Sequence, residues 1–146
     1  LPYRLERVGP YKGITFYKDT IATIPEATIA ALNALGPKVH TLIAGGYDRG
    51  ISFHKLGDAI EKSSLKVLIL FPETGAKILE TMKHPPQHFF AKDMKETVEL
   101  CYLHTPKGKI CLLSPASSSF NMFKDYKDRG EQFLRWVKKL GHEKTA

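Results

Sequence analysis

Long hydrophobic runs are missing from this chain. The longest, Val67–Phe71, is strand-sized, whereas a membrane-spanning helix needs roughly 18 apolar residues. Cysteine is scarce as well. Two residues, Cys101 and Cys111, cannot form a disulfide scaffold, and each lies in an apolar stretch, so both read as buried free thiols of a reducing compartment. The six histidines are scattered, and no His/Cys group has zinc-ligand spacing. There is no G-x-x-x-x-G-K-[ST] phosphate loop, no G-x-G-x-x-G and no G-x-S-x-G elbow, which argues against a self-contained NTPase, a dinucleotide domain or a serine hydrolase. The start, Leu-Pro-Tyr-Arg-Leu-Glu-Arg, has no basic-then-apolar pattern and no Met. No secretory leader is expected, and the chain is expected to be a piece cut from something longer.

What is present is a folded domain's composition. Hydrophobic residues make up 42% of the 146 residues, which excludes a disordered chain. At about 150 residues per domain the chain is one domain. Lys and Arg number 22 against 15 Asp and Glu, a net charge of +7. Such an excess suits an anionic partner: a nucleotide, a carboxylated or phosphorylated metabolite, or nucleic acid. The basic residues recur singly or in small groups with no RNA-binding signature, so nucleic acid ranks last. A plain soluble basic surface is the alternative.

Short apolar runs alternate with helical patterns. Gly13–Tyr17, Val39–Ala44, Leu65–Phe71, Gln87–Ala91 and Lys109–Leu113 read as strands. Arg4–Val8 is expected as an extra edge strand. Thr23-Ile24-Pro25-Glu26 reads as a capping box opening a helix that stops at Gly36-Pro37. Further helices are expected over Phe53–Lys62, Gly75–Met82, Met94–Leu103, and from near Arg129 to Gly141, with Trp136 on the apolar face. This β–α alternation predicts an α/β fold: a doubly wound, mainly parallel sheet with helices on both faces.

Ligands of such sheets bind outside the carboxyl ends of the strands. Three loops fall there: Lys18–Thr23, Gly45–Gly50 and Ser114–Asn121. In the second, glycines turn the chain and Arg49 offers a fork to a carboxylate or phosphate. The third supplies hydroxyls and amides suited to an anion. Asp19 is read as a ribose acceptor or a cap. His54 and His104 are acid–base candidates or packed histidines, and Glu73 and Asp93 are loop charges at the same edge. Each loop reads equally as ordinary turn chemistry.

The same loops resemble one family. Asp19-Thr20-Ile21-Ala22-Thr23-Ile24-Pro25-Glu26-Ala27-Thr28-Ile29-Ala30-Ala31-Leu32, Leu42-Ile43-Ala44-Gly45-Gly46-Tyr47-Asp48-Arg49-Gly50 and Leu112-Leu113-Ser114-Pro115-Ala116-Ser117-Ser118-Ser119-Phe120-Asn121-Met122-Phe123-Lys124-Asp125-Tyr126, followed by Asp128-Arg129-Gly130, are similar to three signatures of the Mur ligase C-terminal domain, in order. Within that family the resemblance is to its glutamate-adding branch. It implies a Rossmann-like domain, residues 1–146, excised from a three-domain enzyme. That enzyme uses ATP and Mg²⁺ to activate UDP-N-acetylmuramoyl-L-alanine as an acyl phosphate, which D-glutamate attacks, in cytoplasmic peptidoglycan synthesis.

Carried over by position, Thr23 and Arg49 hold the amino acid's α-carboxylate. Ser119 and the backbone around Tyr126 receive its side-chain carboxylate. Arg4 reaches the nucleotide phosphates and Asp19 the ribose. No catalytic residue, metal ligand or cofactor bound by the domain alone is expected, and the domain is expected to be inactive, monomeric and without nucleic-acid or membrane partners. Several positions depart from the pattern. Arg49 replaces a frequent Lys, Tyr126 a Phe, Tyr3 a His, Ile21 a Lys, Ile24 an Asn and Ser117 a Cys. Two alternatives stand beside this reading: an L-glutamate-adding relative, and a non-catalytic anion-binding module.

Overall fold

The computed structural model describes residues 4–143, so Tyr3 lies outside the described residues. The elements are β1 (Glu6–Tyr11), β2 (Ile14–Lys18), α1 (Pro25–Leu35), β3 (Val39–Gly45), α2 (His54–Lys62), β4 (Val67–Phe71), α3 (Thr74–Glu80), β5 (Gln87–Phe90), α4 (Met94–His104), β6 (Ile110–Leu113) and α5 (Tyr126–His142). They build a 6-stranded sheet in the order β1-β2-β6-β3-β4-β5. All neighbouring pairs are parallel except β1–β2.

The pleat sorts the apolar residues into two cores, because successive side chains on a strand point to opposite faces. Leu42, Leu68 and Leu112 share one register row. With Ala44 and Leu70 they meet Leu32, Leu56, Ile60 and Ile78 of α1, α2 and α3. Ile43, Ile69, Phe71 and Leu113 point the other way, toward Met94, Val98, Phe133 and Val137 of α4 and α5. Burying each face explains the near-continuous apolar strands. Cys101 and Cys111 lie in this second core with their sulfurs 3.0 Å apart, and burial pushes the Cys101 thiol well above its ordinary value. Trp136 is half-buried against it, as the helical stripe implies.

Two helix starts differ from expectation. Thr23 caps nothing: Ile24 occupies the cap position of α1 without a side-chain bond. The cause is Pro25, which holds the preceding residue extended and so moves the cap one residue past Thr23. The last helix begins at Tyr126 rather than Arg129, because Asp125 accepts from the Asp128 amide at 2.8 Å and caps it there.

Candidate functional site

Every parallel strand ends at the same rim, and β6 enters between β2 and β3, where the strand order reverses. That is the crevice position for ligands in open α/β sheets. The Gly45–Gly50 loop leaves β3 there. A Cβ on Gly45 would sit 2.5 Å from the Phe71 carbonyl oxygen, and one on Gly46 2.4 Å from that of Ser118. Only glycine allows these approaches, at φ of +109° and +156°.

Hydrogen bonds sew the loops together. The Gly45 amide donates to Pro115 O at 2.8 Å and the Tyr47 amide to Ser118 O at 2.9 Å. Gly46 N donates to Thr74 Oγ1 at 2.9 Å, and Thr74 Oγ1 lies 2.7 Å from Ser117 Oγ. Asn121 Nδ2 donates to Pro72 O. Lys77 pairs with Asp48 at 2.5 Å and, with the Gly50 amide, holds that carboxyl below its ordinary range.

The first loop is joined by Arg129, a residue assigned no role from the sequence. It is fully buried. Its Nε donates to Thr20 Oγ1 at 3.1 Å, one terminal nitrogen to Thr20 O at 2.7 Å and the other to Ser117 O at 2.9 Å. Thr20 Oγ1 donates in turn to Tyr126 O at 2.7 Å. Burial lowers Arg129 to about 10, which leaves it cationic at neutral pH. The adjoining Gly130, where a Cβ would meet Thr20 at 2.8 Å, is the one sequence signal of this close approach.

The expected site residues take distinct places. Thr23 is half-buried and Arg49 exposed, and neither has a hydrogen-bond or ion-pair partner among the described residues. Ser119 is buried, and its carbonyl receives the Met122 and Phe123 amides. Tyr126 is the first residue of α5, its carbonyl held by Thr20. Beside Ser119, Ser118 Oγ is buried with no hydrogen-bond partner among the described residues. Arg4 and Asp19 line one cleft of about 290 Å³ with Ile21 and the small residues Ala22 and Ala27.

Asp19 is the most committed of these. Its oxygens accept from the Leu5 amide at 3.1 Å and Ser114 Oγ at 2.9 Å. Burial nonetheless pushes its carboxyl above the ordinary value, against those bonds and the field of Arg4. Of the other candidates, His104 stacks on Phe89 at 4.2 Å, Asp93 caps α4, and Glu73 accepts from the Asp48 amide.

Fold and site together define an open α/β domain that gathers cation, hydroxyl and amide groups at the carboxyl rim of a parallel sheet, the ligand-binding class of that architecture. Comparison with known proteins narrows it. The family described as "Mur ligase, glutamate ligase domain" matches residues 3–117. UDP-N-acetylmuramoylalanine–D-glutamate ligase of Hahella chejuensis is 39% identical over 143 residues, 96% of this chain and 32% of that protein. The enzyme of the same name from Aquifex aeolicus is 35% identical over 137 residues, 94% of this chain and 33% of its own. Among solved structures, the MurF ligase of Thermotoga maritima in complex with ADP aligns with a TM-score of 0.63 at 20% identity, over 97% of this chain and 31% of its own. A domain from a "putative UDP-N-acetylmuramate:L-alanyl-gamma-D-glutamyl-medo-diaminopimelate ligase" of Haemophilus ducreyi aligns with a TM-score of 0.61 at 19% identity, over 92% of this chain and 99% of its own. The chain belongs to the Mur ligase family and carries its glutamate ligase domain. It spans about a third of the length of the curated relatives it matches.

Proposed function

We propose that this chain is the single acceptor-binding domain of an ATP-dependent ligase that adds D-glutamate to UDP-N-acetylmuramoyl-L-alanine in peptidoglycan synthesis. One observation carries the reading. Arg49, an exposed cation without a partner among the described residues, stands on a loop whose backbone is bonded to the Ser117–Ser119 segment. A fork and a hydroxyl-and-amide loop at one rim suit an amino acid with two carboxylates.

In this reading Arg49 and the Thr23 hydroxyl hold the α-carboxylate. Ser119 and the backbone around Tyr126 receive the side-chain carboxylate. Arg4 meets nucleotide phosphates at the mouth of the Asp19 cleft, and Asp19 accepts from the ribose while bracing Leu5 and Ser114. ATP transfers its terminal phosphoryl group to the alanine carboxylate and leaves as ADP. The glutamate amine attacks the acyl carbon, and phosphate departs. This chain's share is to bind and orient the amine. Among the described residues no three His, Cys, Asp or Glu side chains form a group that could hold a metal ion; in this reading Mg²⁺ would be held by parts of the enzyme outside this chain, where it would neutralise phosphate charge. No helix of the described residues is long and apolar enough to cross a membrane. The reading places the protein in the cytoplasm, as a monomer without nucleic-acid or membrane partners.

Arg49→Ala in the intact enzyme removes a charged hydrogen bond worth about 1.5–3 kcal/mol, so the KM for glutamate rises about 10- to 150-fold. Phosphate release measured against each enantiomer checks both the role and the stereochemistry. An unchanged KM refutes the role of Arg49, and turnover with L-glutamate alone reassigns the acceptor. Ile21 on the Arg4–Asp19 cleft favours the second reading, a module retained for anion binding without turnover. Release of no phosphate with either enantiomer selects it.

A further inference from the structure

The opposite rim, where the parallel strands begin, carries a second gathering of basic groups. His40 is the second residue of β3, Lys66 immediately precedes β4 and Lys109 immediately precedes β6. Because β3 lies between β4 and β6, strands about 4.8 Å apart bring the three to one neighbourhood. With Pro37, Val39 and Ser64 they line a cleft of about 280 Å³, and no carboxylate of the described residues lines it. Lys66 and Lys109 are exposed, and neither has an ion-pair partner among the described residues.

The walls of this cleft are braced. The Lys66 amide donates to His40 O at 2.9 Å, and Ser64 Oγ donates to Pro37 O at 2.9 Å. His40 Nδ1 lies 3.1 Å from Thr41 Oγ1, which is 2.7 Å from Thr105 Oγ1 in a buried pair. Nε2 is thus the ring nitrogen without a partner among the described residues. Two lysines and a protonatable imidazole held together, with no carboxylate of the described residues lining the cleft, form a preorganised anion receptor, since a bound anion offsets the repulsion between them.

We propose that this cleft is a second anion site, separate from the loop rim, which takes a phosphate-bearing small molecule on Lys66, Lys109 and His40 Nε2. All three groups line one cleft of about 280 Å³, a size that suits one phosphoryl or pyrophosphoryl group and not an extended polyanion. Burial, then Lys109 and Lys66, hold His40 below its ordinary value. A bound anion offsets the two lysine fields and favours the imidazolium, so binding tightens as pH falls. The site does not depend on the ligase reading.

The test is an NMR titration of the 146-residue chain with inorganic pyrophosphate at fixed ionic strength. The His40 ring and Lys66 amide signals should follow one saturable curve. The double variant Lys66→Glu/Lys109→Glu, altered at exposed positions only, should weaken binding by at least about tenfold. Arg49→Ala should leave the curve in place, which separates this site from the loop rim. In sodium sulfate, whose charge does not change near neutral pH, His40 should titrate about 0.5 unit or more above its value in sodium chloride of equal ionic strength. A parallel ADP titration distinguishes the sources: a His40 curve at least as tight as with pyrophosphate assigns a nucleotide, and a weaker one the inorganic anion. Non-saturating shifts, equal titration in sulfate and chloride, or a double variant that binds as well as the parent overturn the proposal.

Discussion

Arg129 shows what a single residue does here. It is the largest fully buried side chain, and it faces carbonyls and a hydroxyl rather than a carboxylate. Its truncation strands Thr20 O and Ser117 O without donors and leaves a void. Arg129→Ala should therefore cost about 3 kcal/mol or more, read by urea denaturation; a loss under about 1 kcal/mol contradicts the bracing role. Asp19 gives a second prediction, through pH. Its carboxyl is raised in the folded state, so the fold binds this proton more tightly than the unfolded chain does. Stability then falls as pH climbs from the unfolded value of 3.8 through the raised folded one. Asp19→Asn lacks that slope. Relative to the parent it should gain stability between about pH 3 and about pH 7, and a flat difference across that range would refute the assignment.

Among the elements, the helices reveal how the sites are positioned. In α4, Asp93 accepts from the Glu96 amide at 2.9 Å, and Glu96 reaches back to the Lys92 amide at 2.8 Å. In α5, Asp125 and Asp128 repeat the device, with Asp128 reaching Lys124. At α1 the expected box fails, since Pro25 shifts the cap to Ile24 and leaves the Thr23 hydroxyl without a partner among the described residues. The two substitutions should consequently part company in thermal or urea unfolding. Asp125→Ala should cost about 0.5–2 kcal/mol, whereas Thr23→Ala should stay within about 0.5 kcal/mol of the parent. A Thr23→Ala loss as large as that of Asp125→Ala would restore the capping role.

At the scale of the molecule, one sheet is shared by two cores. Leu68 and Ile69, adjacent on β4, belong to opposite faces, so neither layer can open without exposing the central strands. The 146-residue chain should unfold in one calorimetric transition with an enthalpy of about 100 kcal/mol near 60 °C. Two resolved transitions would show that the faces are independent. Within the excess of basic residues, Arg4 and Arg49 stand at the carboxyl ends of the strands, and Lys66 and Lys109, with His40 between them, at the amino ends.

The sequence by itself determined the α/β class, five of the six strands to within two residues, the buried thiols and the three loops of the candidate site. Apolar runs covered on both faces and glycines between polar residues are local signals, and they survive without tertiary information. It placed the sixth, β1, only approximately: Glu6–Tyr11 pairs antiparallel with β2, a choice made by the partner strand. Tertiary structure alone decided which polar groups are spent. Asp19 and Ser114 brace one another, Thr74 and Ser117 lock the glycine loop, and Arg129 disappears beneath it. Thr23 and Arg49 keep no partner among the described residues. Whether a hydroxyl or guanidinium is bonded or available depends on groups as far as 109 residues away, as Thr20 is from Arg129, and no local pattern encodes that distance.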